Sequence, residues 1–366
     1  KYIKVGPEIF IHPPHIECPK CGEKGYGILS IYEQRYLRRC NKCFYPTIQK
    51  GEHAEEFMLP KLNKKIIYLD QFAISEMVKA KKDLSQRKDW FDLYKLIDGL
   101  VLDQVIVCPD SHYHEKESEL FVSLSKEFKD FYEQMSRGIT FSYPQDIESY
   151  QMHKALKKFA GEDSSQDYDF SDWSEAFDKN PHSWQDKIHI RVNLGKDPNE
   201  ITRLRLSKKK YLEIMKEHFQ GLPDSDKFDF SEETKVWQVA RANAISQLYH
   251  NYLREYIEMC LRIKPFDPMW FLNSPAITEL AEQILYFFED RGITDKIEQF
   301  KKMKEFLYSD YFYNIPYVLI GSLFNAGISR RYVYGARKEP KSGDYYDIQI
   351  VSHLLPYCDA MLIDNE

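Results

Sequence analysis

Short unbroken apolar runs and long helical periodicities divide this chain into zones. Ile66 to Leu69, in KKIIYLD, is four apolar residues closed by Asp70, and its length and β-branched content predict a buried strand. Ile74, Met77 and Val78 then recur at helical spacing, and DWFDLYKLIDGLVLD predicts a second helix. Val105 to Cys108, in QVIVCPD, is a second short run that stops at Pro109 and Asp110. Ser111 is then placed to cap a helix bearing Glu115, Glu117 and Glu119. Strand, helices, strand, helix is the rhythm of a parallel α/β sheet.

The rhythm breaks near residue 120 and stays helical to about 310. Ser231 to Leu261 is the clearest case, with Val236, Val239, Ala240, Leu248, Tyr252, Leu253, Tyr256 and Ile257 on one predicted apolar face. Ile315 to Ala326 resumes as a core helix, in which Gly321 reads as a packing position. A basic turn with Arg330, Arg331, Arg337 and Lys338 leads to a helix from about Tyr345 to Leu355 and a strand from Ala360 to Ile363, closed by Asp364. At the other end, Gly27–Tyr32 and Arg35–Arg39 predict a hairpin. The expected organisation is a small module with its connector over 1–58, an α/β core in two parts, 59–120 and 311–366, and an all-helical insertion over 121–310.

Composition adds three constraints. A chain of 366 residues exceeds one small core, and 43% hydrophobic with 30% charged residues is an ordinary soluble balance. Only 15 glycines against 49 Tyr plus Phe favours long helices around an aromatic core. No apolar run reaches bilayer length, since Tyr311–Gly327 is interrupted by Asn314, Pro316 and Ser322, so no membrane partner is expected. No signal-peptide pattern opens the sequence, and the missing initiator Met is compatible with a piece of a longer chain. Seven cysteines, three of them (Cys108, Cys260, Cys358) in scattered apolar contexts, argue for a reducing, cytoplasmic setting.

The other four cysteines carry chemistry. Cys18, Cys21, Cys40 and Cys43 form two CxxC knuckles 18 residues apart, the spacing of a tetrahedral zinc site in a unit too small to fold on its own core. The module resembles a zinc ribbon. Four thiolates complete such a site, so His12, His15 and His53 are not expected as ligands. Net charge is −6, but residues 1–65 hold 12 Lys plus Arg against 7 Asp plus Glu, leaving the remainder at −11. Arg38 and Arg39, with Arg35, Tyr32 and Tyr36, give the hairpin the arginines and aromatics of a nucleic-acid surface, although such ribbons also serve as staples or protein docking surfaces. Inside the insertion, residues 162–178 carry seven acids and no Lys or Arg, which predicts a solvated loop, or an acidic plug that imitates nucleic acid.

Carboxylates recur where apolar strands stop. Asp70 and Asp364 each close a strand directly, Glu117 lies in the helix after the second strand, and Asp344 and Asp347 share a face one helical turn apart. In open α/β sheets, sites form outside the carboxyl ends of the strands. Acids converging there repel unless a cation sits among them, and an oxygen donor set favours Mg2+ or Mn2+, whose common task is phosphodiester hydrolysis. Read singly, each Asp is equally a helix cap, and Glu117 a surface residue. Asp359, before the last strand, reads as structural.

Asp70 after its strand, an acid in the helix after the second strand, and DIQIVSHLLPYCDAMLID together resemble the PIN-domain nucleases. In that family a helix-starting Asp precedes the Asp after the last core strand by about seventeen or eighteen residues; Asp347 and Asp364 stand seventeen apart. The resemblance covers about 64–120 and 311–366 and leaves out ribbon and insertion. It implies a metal-dependent nuclease, most often acting on RNA, with Asp70, Glu117, Asp347 and Asp364 as its acids. Gln71 departs from the small or hydroxyl residue common after the first Asp, the second acid is open among Glu115, Glu117 and Glu119 with Glu117 preferred, and Asp344 stands ready to share the third position. His114 and His353 are candidates for phosphate contact or proton transfer, and Arg330, Arg331 and Arg337 for guiding phosphate. By family analogy a toxin or phage-defence effector is a plausible setting. The rival readings are a single-stranded DNA nuclease, a non-catalytic nucleic-acid-binding scaffold, and a protein-interaction subunit docking through insertion or ribbon.

Overall fold

A computed structural model describes residues 3–5, 9–11, 17–24, 26–32, 35–40, 42–45, 56–58, 62–83, 87–114, 125–163, 165, 168–170, 172–183, 198–265, 276–341 and 343–364. These residues are mostly helical, with one small parallel sheet and short antiparallel pairs. The chain divides into two compact units: 1–141 with 177–195 and 358–366, and 142–176 with 196–357. This cut departs from the expected boundaries, because residues 311–357 group with the helices and only 358–366 return to the sheet unit.

The first unit opens with β1 (Ile3–Val5) paired to β2 (Ile9–Ile11). A second antiparallel sheet joins β3 (Tyr26–Tyr32), β4 (Arg35–Cys40) and β5 (Glu56–Met58), with Tyr26 opposite Cys40 and Ile28 opposite Arg38. The hairpin expected from the sequence is therefore present and gains a third strand.

The parallel sheet has the order β7 (Ile106–Val107), β6 (Lys65–Leu69), β8 (Ala360–Leu362). Tyr68 and Leu69 are buried, as a short apolar run between two neighbours requires. Helices α1 (Gln71–Lys82) and α2 (Lys88–Leu102) cross from β6 to β7. Ala73, Ile74, Met77 and Val78 of α1 pack with Ile97 and Val101 of α2 and with Phe128, Phe131 and Met135 of α3 (Ser125–Ser136). The stripe expected at Ile74, Met77 and Val78 is thus the buried face. From β6 the chain passes to β7 on one side, while β8 pairs on the other, which makes the β6/β8 edge the switch point of the sheet.

The second unit is helical: α4 (Pro144–Phe159), α5 (Pro198–Gln220), α6 (Phe230–Cys260), α7 (Ala276–Glu289), α8 (Lys296–Leu307), α9 (Asp310–Tyr313), α10 (Pro316–Val333) and α11 (Asp344–Leu354). Its main core joins Met152, Ile245, Ile284, Phe288, Phe306 and Phe312 from α4, α6, α7, α8 and α9. Gly321 of α10 brings a Cβ position to 3.7 Å from Ser352 Cβ on α11, the packing role expected.

Two expectations are met only in part. Of the face of α6 predicted as apolar, Val239, Tyr252 and Leu253 pack against the core, but Val236, Leu248, Tyr256 and Ile257 are exposed, while Thr234, Gln238, Ala242, Ile245 and Tyr249 are buried. Hydropathy misses this face because its polar members are individually bonded. Gln238 Nε2 donates to Tyr313 O at 3.0 Å, and Thr234 Oγ1 to Phe230 O at 2.8 Å. The acidic stretch 162–178 is also not simply solvated. Glu162 is paired with Arg291, Glu175 is buried against Lys154, and Asp172 caps a short helical turn through Ser174 N. Glu162 and Glu175 find their cations on other elements, which a local charge count cannot see.

Candidate active site and metal centre

Two tight knuckles bring the four N-terminal cysteines together. In each, an N–H two residues on approaches the first sulfur at 3.4 Å: Lys20 N to Cys18 Sγ, and Lys42 N to Cys40 Sγ. In each, the residue after the second cysteine takes a positive φ, Gly22 at 70° and Phe44 at 57°. Gly22 N and Phe44 N donate back to Cys18 O and Cys40 O. The knuckles are thus near copies, and the left-handed position falls once on glycine and once on a non-glycine residue.

All four Sγ atoms lie within 4.8 Å of one another. Cys18 Sγ is 3.6 Å from Cys43 Sγ and Cys21 Sγ 3.7 Å from Cys40 Sγ. A tetrahedral ion with zinc–sulfur bonds of about 2.3 Å requires edges of roughly 3.8 Å, so the donor set fits a metal such as zinc. The N–H of Cys43, then that of Lys42, draw the Cys40 thiol down to about 6. Among the described residues, this is the one group of three or more His, Cys, Asp or Glu whose ligand atoms converge so closely.

The second constellation lies at the carboxyl end of the parallel sheet. Leu69 of β6 pairs with Leu362 of β8, and Asp70 N donates to Leu362 O at 2.9 Å. Asp70 and Asp364 therefore leave adjacent strands just past their ends, at the switch point. Asp70 caps α1, but loosely, with Oδ2 accepting from Phe72 N at 3.4 Å. Burial pushes the Asp70 carboxyl up from its ordinary range; the Phe72 N–H and the nearby His114 oppose the rise, and the like charge of Asp364 adds to it. No Lys or Arg is hydrogen-bonded to Asp70 among the described residues. Asp359, at the opposite end of β8, contrasts sharply. Its oxygens accept from Lys65 Nζ at 2.7 Å and Ile66 N at 2.8 Å, which makes it a structural clamp.

His114 explains how the strand end is held. Its Nε2 donates to Leu69 O at 2.8 Å, one residue before Asp70, and its Nδ1 faces Asp110 Oδ1 at 3.0 Å. The ring is sandwiched between Tyr68 and Tyr132, with centroids at 4.9 and 4.5 Å. Both nitrogens are engaged, so His114, a candidate for phosphate contact or proton transfer, serves here as a brace. Asp110 is the residue that sequence reasoning passed over. It follows β7, is buried, and accepts from Ser111 N at 2.8 Å while orienting His114. Its spacing four residues before a histidine in a helix start was the available signal.

The remaining expected residues fall as follows. Glu117, with Glu115 and Glu119, lies outside the described residues, as do His12, His15 and His53. Arg38 and Arg39 are in β4, their side chains outside the description. Asp347 is exposed in the first turn of α11. Asp344 is buried, its oxygens accepting from Arg337 Nη2 at 2.7 Å and Lys341 N at 2.8 Å. Asp344 is thus a bonded helix-start residue, and Arg337 is engaged by it and by Glu339 O at 3.0 Å. Arg330 and Arg331 are exposed. His353 is buried with Nδ1 on Gln349 O at 2.6 Å and Nε2 on Glu148 Oε1 at 2.9 Å, again a structural role.

Glu148, His353 and Arg241 form a network in the helical unit. Arg241 Nη2 donates to both Glu148 oxygens at 3.1 Å, and Tyr317 stacks on His353 with centroids 5.8 Å apart. Burial alone would raise the Glu148 carboxyl, but Arg241 and then His353 outweigh it and hold it below its usual range.

Comparison with protein-family models, with curated proteins and with solved structures finds no match to this chain. Among the described residues, no helix is long and apolar enough to cross a membrane.

Proposed function

We propose that the protein is a metal-dependent nuclease with a PIN-like sheet unit and an N-terminal zinc ribbon, acting on single-stranded RNA. The observation that carries this reading is the placement of Asp70 and Asp364 just past the ends of adjacent parallel strands at the sheet's switch point. Asp70 is largely desolvated there and, among the described residues, has no hydrogen-bonded Lys or Arg. A pair of carboxylates fits a hard divalent cation, Mg2+ or Mn2+.

Asp70 and Asp364 would hold that ion. The resemblance also implies Glu117, which lies outside the described residues, and Asp347, which belongs to the helical unit, as further acids. The ion, when bound, offsets charge on the phosphate and lowers the pKa of water. His114, oriented by Asp110, fixes the Leu69 carbonyl and with it the direction in which Asp70 leaves β6. The four cysteines hold zinc, which folds the N-terminal module.

The test is cleavage of labelled single-stranded RNA and single-stranded DNA by the full chain in Mn2+. The expected result is RNA cleavage that Asp70→Asn and Asp364→Asn each abolish while circular dichroism stays unchanged. Preferential DNA cleavage would move the substrate to single-stranded DNA. Undiminished cleavage by Asp70→Asn would sink the acid assignment.

A further inference from the structure

Two basic segments far apart in sequence meet in the helical unit. Arg203–Lys210 of α5 holds five Lys plus Arg and no acid, and Arg330–Lys341 holds five against Glu339 alone, in a chain of net charge −6. Met215 and Phe219 of α5 share a core with Ile328 of α10 and Ile348 of α11, which fixes α5 along both helices. Lys208 Nζ lies 4.1 Å from the centre of the Tyr346 ring in the first turn of α11. Arg337 and the backbone of Lys341 reach Asp344 in the same turn. The lysines of α5 and the segment after α10 therefore flank one short stretch of α11.

We propose that this surface binds the phosphodiester backbone of single-stranded RNA. Lys209, Lys210, Arg330, Lys338 and Lys341 of the two segments are exposed, and Arg330 lies over the Tyr334 ring. Tyr211 and Tyr345 are partly exposed with ring centroids 5.4 Å apart, and Tyr345 also packs edge-on against Tyr346, the ring that Lys208 covers, so aromatic rings of the kind that stack on bases adjoin the cations. The acids that border it are Asp344, paired with Arg337, Glu213, 4.0 Å from Lys209, exposed Glu339 and Asp347, and exposed Asp224 and Asp226 on either side of Ser225, whose carbonyl accepts from the Tyr334 hydroxyl. An acidic protein would meet the same charge, but aromatic rings interleaved with lysines favour a chain carrying both phosphates and bases. The inference takes its substrate class from the nuclease reading, and its test measures binding apart from cleavage.

The experiment titrates labelled single-stranded RNA with the full-length Asp70→Asn protein by fluorescence anisotropy across a salt series. The same chain carrying K208Q, K209Q and K210Q is compared, and separately one carrying R330Q and K338Q, with thermal melts confirming the fold. If each of the three lysines neutralises one phosphate, the log–log salt slope should flatten by about 2 in the triple variant. The parent would then lose about twentyfold more affinity than the variant between roughly 50 and 200 mM salt. A loss of slope in both variants supports the surface. Unchanged slope and affinity in both, no RNA binding by the parent, or competition by polyglutamate as effective as by RNA would each overturn it. Cleavage by the Asp70-containing protein is scored on its own, so loss of this surface and loss of the nuclease reading give different results.

Discussion

The two units balance their desolvated acids in opposite ways. In the helical unit each carries a cation or donor from its own chain: Glu148 has Arg241 and His353, Asp344 has Arg337, and Glu233 has His218 at 2.6 Å and Trp237 Nε1 at 2.8 Å. In the sheet unit, Asp70 has a long backbone N–H and the like charge of Asp364, and four thiols converge on one another. Within that unit Asp359 still has Lys65, so the difference is confined to particular places. A fold can satisfy acids internally wherever they serve only the fold. Where four thiols converge, as at Cys18, Cys21, Cys40 and Cys43, the donor set fits a metal such as zinc; at Asp70 an external ion is the proposal under test.

The largest expected effect tests the thiols. Cys40→Ser should take zinc content from one atom per chain to none, by metal analysis, and expose the N-terminal module to protease. Structural zinc is worth about 10–16 kcal/mol to small modules of this type. Unchanged zinc content would place the metal elsewhere.

Asp70→Asn comes next. Losing an ion ligand at the strand end should lower cleavage by about 10²- to 10⁴-fold, the equivalent of several kcal/mol. Glu148→Ala probes the opposite kind of site. It leaves Arg241 and His353 without their shared counter-charge and should cost about 3–5 kcal/mol, read from the urea midpoint. If Asp70→Asn destabilises as much as Glu148→Ala, the contrast between the units is wrong.

A smaller effect follows from ion binding. Mg2+ or Mn2+ at 100 times its dissociation constant should stabilise the parent by about 2.7 kcal/mol, and Asp70→Asn by much less. A thermal melt with and without the ion reads this directly.

The finest distinction is the sign of the pH dependence without divalent ions. Asp70 has a raised folded-state pKa, so its contribution to stability is full below the ordinary Asp value and is lost as pH rises through the raised value. Glu148 is depressed, so its contribution is present above the ordinary Glu value and is lost as pH falls through the lowered one. Relative to the parent, Asp70→Asn should gain stability with rising pH across the carboxylate range, and Glu148→Gln should lose it. Equal signs in the two denaturation series would remove the comparison.

Much of the framework was legible in the residues. Ile66–Leu69, the CxxC pairs and the Asp344–Leu354 helix announced themselves through run length, spacing and period, which are local properties. The buried face of α6 was not legible, because Gln238 is made tolerable by a carbonyl 75 residues away. Nor was the occupation of Arg337 by Asp344, or of His353 by Glu148 205 residues away, because residue type does not reveal whether a charge already has a partner.

By itself, the sequence determined which stretches become strands and helices and that four thiols could share one ion. Backbone preference and short spacing act over a few residues, so these features are written locally. Only the tertiary structure decided that Asp70 and Asp364 end adjacent strands, that His114 and His353 are braces, and that Lys208 of α5 and Arg337 after α10 meet the first turn of α11. Those outcomes depend on burial and on partners far along the chain, which exist only once the chain has packed.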